Sequence, residues 1–242
     1  MAGILVWAHR GASGTFPENT LESFEGAVRA GADGIELDVQ LSRDGELVVA
    51  HDERIDRMSD GTGFVKDFTL AELKRFNFNR PNPSVQHAVL PTLREVYELI
   101  RPTGLTVNVE LKTGCFTYPG IVEKTLELTA AQSMEDRVIY SSFNHYTLVE
   151  VKKLNPSAKT GMLYGDRIIG AEKYAKETVG VDALHPALYH LDDPEYMAKA
   201  LKYGLSVHVW TADSEEDIRR MAELGVNAVI TDYPERALAI VR

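Results

Sequence analysis

Gly3-Ile4-Leu5-Val6-Trp7-Ala8-His9-Arg10-Gly11 is the stretch on which the reading of the fold turns. Six residues with no charge give way abruptly to a histidine, an arginine and a glycine. A short run that is apolar on both faces fits a strand buried on both sides, the environment of a parallel sheet. Comparable runs recur at 33–39, 105–111, 137–141, 159–163, 181–184, 205–210 and 226–230, so eight strands are expected. Helical spacing fills the gaps. Leu21, Phe24, Ala27 and Val28 share one face of a first helix, which Gly31 ends. Leu93, Val96, Tyr97 and Ile100 share another, opened by Thr92 with Glu95 three residues on, a capping box. Further helices are expected over 119–133, 144–154, 170–178, 193–203, 214–224 and 234–241. Eight strands alternating with eight helices predict an α/β chain forming one (β/α)8 TIM-type barrel over residues 1–242. A doubly wound open sheet is the competing arrangement, and the chain lacks the G-x-G-x-x-G turn and the Walker A loop.

One segment breaks the rhythm. Asp44-Gly45 separates the second strand from Glu46-Leu47-Val48-Val49-Ala50, a hairpin signal. Residues 52–90 then form a small insertion, with one short helix opened by Thr69 and Glu72. A connection of this length in a compact barrel is usually functional, as a lid or wall over the site. A surface excursion without a role is the alternative.

Composition narrows the function classes. Hydrophobic residues make up 44% of the 242 and charged residues 26%, which excludes a disordered or collagen-like chain. A single cysteine, Cys115, excludes an intramolecular disulfide and a Cys-rich zinc site, and fits a reducing compartment. A net charge of −10 with no basic stripe argues against nucleic acid as a partner. The opening apolar run is too short for a signal-peptide core, and no stretch approaches the ~20 apolar residues of a membrane span. A cytoplasmic protein with no stable membrane insertion is expected, acting on soluble substrates rather than intact phospholipid.

Active sites of such barrels lie at the C-terminal ends of the strands. His9 and Arg10 follow the first strand, and Glu36 and Asp38 lie on the second. His51 and Asp52 end the hairpin strand. Asn108, Glu110 and Lys112 lie on the next strand, and Ser141-Ser142, His185, Trp210 and Asp232 end later ones. Glu36 and Asp38 are two apart, so their side chains share one face with Cα atoms about 6.6 Å apart. Two such carboxylates repel unless one is protonated or a cation lies between them. With Glu110 they make an oxygen-rich site for a hard divalent ion, Mg²⁺ or Ca²⁺. A buried ion pair between Glu36 and Lys112 explains the same spacing. His9 and His51 suit general acid–base work, with satisfied structural histidines as the alternative. Arg10 before Gly11 favours the first, because arginine binds phosphate bidentately and glycine lets the backbone come close. His87, His145, His190 and His208 read as structural or surface residues, whereas His185 could line a pocket. Trp210 could wall an apolar part of a substrate or pack in the core. Asn19 or Thr20 could cap the first helix.

These residues together resemble the glycerophosphodiester phosphodiesterases. The likeness runs through His9-Arg10-Gly11, Pro17-Glu18-Asn19-Thr20, Gly31 to Val39, Asp44-Gly45 and His51-Asp52. It continues through Pro91-Thr92-Leu93, Asn108 to Lys112, Trp210-Thr211 and Ile230 to Pro234, so it spans essentially the whole chain. It implies hydrolysis of glycerophosphodiesters to sn-glycerol 3-phosphate and an alcohol. It also implies that His9 and His51 are the acid–base pair, that Glu36, Asp38 and Glu110 hold the divalent ion, and that Arg10 and Lys112 contact phosphate. The insertion is then the small domain typical of the family. Met58 and Ala212-Asp213 depart from the family pattern and bear on the substrate pocket. Two other classes remain open: a Schiff-base aldolase using Lys112, and a non-catalytic glycerophosphodiester binder.

Overall fold

A computed structural model describes residues 3–242. Among these residues nine strands form one sheet: β1 (Leu5–Ala8), β2 (Gly34–Leu41), β3 (Leu47–Val49), β4 (Thr106–Leu111), β5 (Val138–Ser142), β6 (Lys159–Tyr164), β7 (Ala183–Pro186), β8 (Ser206–Val209) and β9 (Ala228–Thr231). Eight are parallel. They run in the order β1-β9-β8-β7-β6-β5-β4-β2, and β2 pairs back onto β1, so the barrel closes. The ninth, β3, is the expected hairpin strand, antiparallel to the far end of β2 with Val39 opposite Val49. The helices are α1 (Leu21–Ala30), α2 (Leu70–Leu73), α3 (Leu93–Ile100), α4 (Ile121–Ala131), α5 (His145–Leu154), α6 (Ala171–Lys173), α7 (Tyr196–Lys202), α8 (Glu215–Leu224) and α9 (Pro234–Val241); all but α2, which lies in the insertion, pack around the barrel.

The local signals act as their chemistry requires. Thr20, Thr69 and Thr92 each accept from the backbone N–H three residues on, and each box is completed by Ser23, Glu72 or Glu95. Gly31 ends α1 at φ 79°, a left-handed turn that costs an L side chain energy. Gly34 is required by packing. A Cβ there would lie 2.7 Å from the Thr106 carbonyl and 2.9 Å from the Trp7 ring, so its absence lets the indole fill the barrel interior.

Three expectations are corrected. The first strand is not buried throughout: Leu5 stands at the open N-terminal end of the barrel and is 41% exposed. The helix expected over 170–178 holds α-helical hydrogen bonding only through α6, and Tyr174–Val179 winds into wider turns ended by left-handed Gly180. The helix expected from residue 193 begins at Tyr196. Pro194 keeps Asp193 extended, and a 3₁₀ turn at Leu188–Asp192 fills the approach.

Residues 52–90 enclose an apolar cluster of Ile55, Met58, Val65, Leu73, Phe78 and Leu90, seated on Val48 of β3. Met58 is thus spent on packing and does not line the site. The segment follows His51 directly, which places it beside the C-terminal mouth of the barrel.

Candidate active site

The parallel register carries the carboxylates together. Asp38 on β2 stands opposite Glu110 on β4, with Glu36 one pleat earlier. Each offers an oxygen within 4.8 Å of the others, and all three are buried. Lys112 Nζ lies 3.0 Å from Glu110 and 3.8 Å from Asp38, while Arg10 Nε lies 3.7 Å from Asp38. The alternative pairing of Glu36 with Lys112 is not formed. Among the described residues no cationic side chain comes within 4.0 Å of Glu36, whose Oε2 accepts only the backbone N–H of Arg10 at 3.0 Å.

The electrostatics follow from this uneven sharing. Burial, then the charges of Asp38 and Glu110, hold the Glu36 carboxyl well above the usual range. Burial and Asp38 likewise raise Glu110. Burial would raise Asp38 too, but His51, Lys112 and Arg10 outweigh it and keep that carboxyl strongly acidic. Asp38 Oδ1 and Asn108 Oδ1 are buried without a hydrogen-bond partner. Three clustered carboxylates with too few cations, and oxygens left without a donor, are compatible with a divalent metal ion. Lys112 is unsuited to Schiff-base chemistry. Burial would lower its pKa, yet Asp38 and Glu110 drive it above the ordinary lysine range, which keeps it an ammonium rather than a free amine.

Both histidines belong to short dyads. His9 Nδ1 donates to Asp232 Oδ1 at 2.6 Å, and Ser13 Oγ donates to the same oxygen at 2.9 Å. His51 Nδ1 donates to Asp52 Oδ1 at 2.6 Å. A carboxylate on Nδ1 fixes the tautomer and leaves Nε2 to exchange a proton. Asp213, one of the departures from the family pattern, accepts from the Asp232 N–H and the Thr231 hydroxyl, so it anchors the Asp232 loop. Asn19 does not cap α1, since Thr20 does. Its amide donates to Asp38 Oδ2 at 2.8 Å, from a backbone held at φ 56°.

A cavity of about 110 Å³ opens between these groups. His9, Arg10, Glu36, His51, Asn108 and Glu110 line one side. Phe143, Leu163, Trp210 and Ile230 line the other, with Phe143 edge-on to Trp210. Trp210 therefore stands in the cavity wall. His185 does not reach it. His185 is fully buried inside the barrel, where Gly161 leaves room for its ring and His208 Nδ1 lies 2.9 Å from its Nε2. Asp232, Asp52 and Asn19 touch the candidate residues, although no catalytic or binding role is expected of them from the sequence. The first two were visible as strand-end acids, and the third only as a possible cap.

Comparison with known proteins finds relatives along nearly the whole length of the chain. Residues 9–236 match the model of the glycerophosphoryl diester phosphodiesterase family. The chain is 45% identical over 239 residues to a glycerophosphodiester phosphodiesterase of Caldanaerobacter subterraneus subsp. tengcongensis, covering 98% of each. It is 40% identical over 238 residues to one of Bacillus altitudinis, covering 97% of each. Its fold superposes with a TM-score of 0.90 and 31% identity on an Oleispira antarctica phosphodiesterase solved with the product sn-glycerol-3-phosphate, covering 99% and 97% of the two chains.

Proposed function

The chain belongs to the glycerophosphoryl diester phosphodiesterase family, and from that premise we propose a metal-dependent hydrolysis driven by a histidine acid–base pair. The substrate is a glycerophosphodiester, and the products are sn-glycerol 3-phosphate and an alcohol. The observation that carries the reading is the buried triad Glu36, Asp38 and Glu110, two members of which line the same cavity as the His9 and His51 rings of two His–Asp dyads.

Glu36, Asp38 and Glu110 would hold the ion, Mg²⁺ or Ca²⁺ by the hardness of their oxygens. When bound, it supplies positive charge against that developing on the phosphoryl oxygens. Arg10 and Lys112 bring two fixed cations to the same phosphate. One of His9 and His51 takes the proton from the attacking oxygen at its free Nε2, and the other delivers a proton to the departing alkoxide. The P–O bond to the alcohol breaks as the new P–O bond forms, and water is consumed overall. Each proton transfer is worth about 10²–10⁴-fold. Asp232 and Asp52 stabilise the imidazolium in turn. Trp210 and Phe143 form the apolar wall against the carbon skeleton of the substrate. The acidic surface and the lone cysteine favour a cytoplasmic enzyme working on soluble diesters. Among the described residues, no helix is long and apolar enough to cross a membrane.

The test is release of glycerol 3-phosphate from glycerophosphocholine by chelator-stripped protein, before and after Mg²⁺ or Ca²⁺ is restored. Release that returns with the ion is expected. A rate indifferent to chelation overturns the metal role, and no release from any glycerophosphodiester overturns the reaction.

A further inference from the structure

One guanidinium outside the pocket lining touches two networks that lead into it. Arg57 lies six residues after His51, within the 52–90 insertion. Its Nε donates to Asp52 Oδ2 at 2.7 Å and its Nη2 to Asp52 Oδ1 at 3.0 Å. Its Nη1 donates to Glu18 Oε2 at 2.6 Å, and the same Nη2 to Glu18 Oε1 at 2.8 Å. Both oxygens that share Nη2 hold a second partner. Asp52 Oδ1 is the oxygen that accepts from His51 Nδ1, and Glu18 Oε1 is the oxygen that accepts from Arg10 Nη1 at 2.9 Å.

We propose that Arg57 is a positioning residue that sets His51 and Arg10 together by clamping Asp52 and Glu18. The proposal rests on the acid–base and phosphate-binding roles given above. Two carboxylates drawn to within 3.0 Å of one nitrogen repel when that cation is removed. Each would then swing toward water, Asp52 carrying the His51 hydrogen bond with it and Glu18 that of Arg10. No such dependence links Arg57 to His9. The His9 dyad is built by the barrel itself, through Asp232, Ser13 and Asp213. The insertion thus orients one histidine of the pair, and the barrel orients the other.

A purely structural ion pair behaves differently. The Arg57 side chain is 40% exposed but forks onto a Glu18 side chain only 9% exposed, so Arg57→Ala is expected to lower Tm by a few degrees while leaving the barrel folded at the assay temperature. It should lower kcat and raise KM, for a combined loss of about 10–100-fold in kcat/KM, the scale of a misplaced catalytic group. Arg57→Lys keeps the charge but not the double fork, and should recover only part of the loss.

Two readouts separate positioning from bulk damage. In a double-mutant cycle with an activated diester, Arg57→Ala should lose most of its effect on kcat in a His51→Ala background and keep it in a His9→Ala background. In proton NMR, the downfield Nδ1–H signal of His51 should broaden or vanish in Arg57→Ala while that of His9 persists. Equal coupling to both histidines, or an unchanged His51 signal, overturns the proposal. The NMR arm does not depend on turnover, so it judges Arg57 even if the hydrolysis reading fails.

Discussion

Glu36→Gln should make the metal-stripped protein more stable and remove its stabilisation by metal. Glu36 is 5% exposed and, among the described residues, is the member of the triad with no cationic side chain within 4.0 Å. Its carboxyl is held well above the ordinary range by burial and by its neighbours Asp38 and Glu110. A carboxyl raised in the folded state contributes stability below its unfolded pKa and loses it as pH climbs toward the folded value. The carboxyl therefore costs the metal-stripped protein stability at pH 8. The cost grows by about 1.4 kcal/mol for each pH unit between the ordinary carboxyl range and the folded pKa. In a chain of this size about 1 kcal/mol moves Tm by 2–4 °C, so each such unit is worth about 3–6 °C. Glutamine matches the shape and keeps an oxygen to accept the Arg10 N–H.

The assay is thermal unfolding of both proteins at pH 4.5 and pH 8, after chelation and again with Mg²⁺ or Ca²⁺. Glu36→Gln should unfold several degrees above wild type at pH 8 without metal, and the gap should close at pH 4.5. An ion at 100 times its Kd adds about 2.7 kcal/mol to wild type, or roughly 5–11 °C. The variant, short of one ligand in three, should gain little. A lower Tm for the stripped variant at pH 8 would refute the electrostatic reasoning. An undiminished shift on adding metal would refute Glu36 as a ligand.

Two further outcomes follow from the histidines. Asp232→Asn keeps an oxygen for His9 Nδ1 and Ser13 but loses the charge, which exchanges a charge-assisted bond for a neutral one; kcat should fall about 10–100-fold with little change in Tm, and steady-state kinetics beside a melting curve checks it. Burial pushes His208 down to about 4, so the folded protein refuses a proton that the unfolded chain accepts below the ordinary histidine range. Stability should therefore fall between pH 6.5 and pH 4, by about 3 kcal/mol from this residue, and His208→Asn should flatten that part of the Tm–pH curve.

What the sequence discloses here is whatever depends on short periods. A two-residue repeat puts Glu36 with Asp38, and Asn108 with Glu110 and Lys112, on single strand faces. Parallel pairing of Asp38 with Glu110 then assembles the triad with no further information. Caps are equally local: Thr20, Thr69 and Thr92 each find partners three residues away. The partner of His9 is of another kind. Asp232 lies 223 residues on, and the two meet because β9 pairs with β1 when the barrel closes. A strand-end acid carries no local sign of which histidine it will face. His185 misleads for the converse reason. Its place at a strand end suggests the pocket, but Gly161 on the neighbouring strand opens a space that draws the ring into the barrel interior. The second dyad needs no closure, since Asp52 adjoins His51, yet its carboxylate is shared with an arginine of the insertion. The barrel therefore delivers the carboxylates and one complete dyad, whereas the other is finished only when the insertion is seated. Variants that loosen the cluster of Ile55, Met58 and Phe78 should then impair the His51 side of the chemistry before they disturb the barrel.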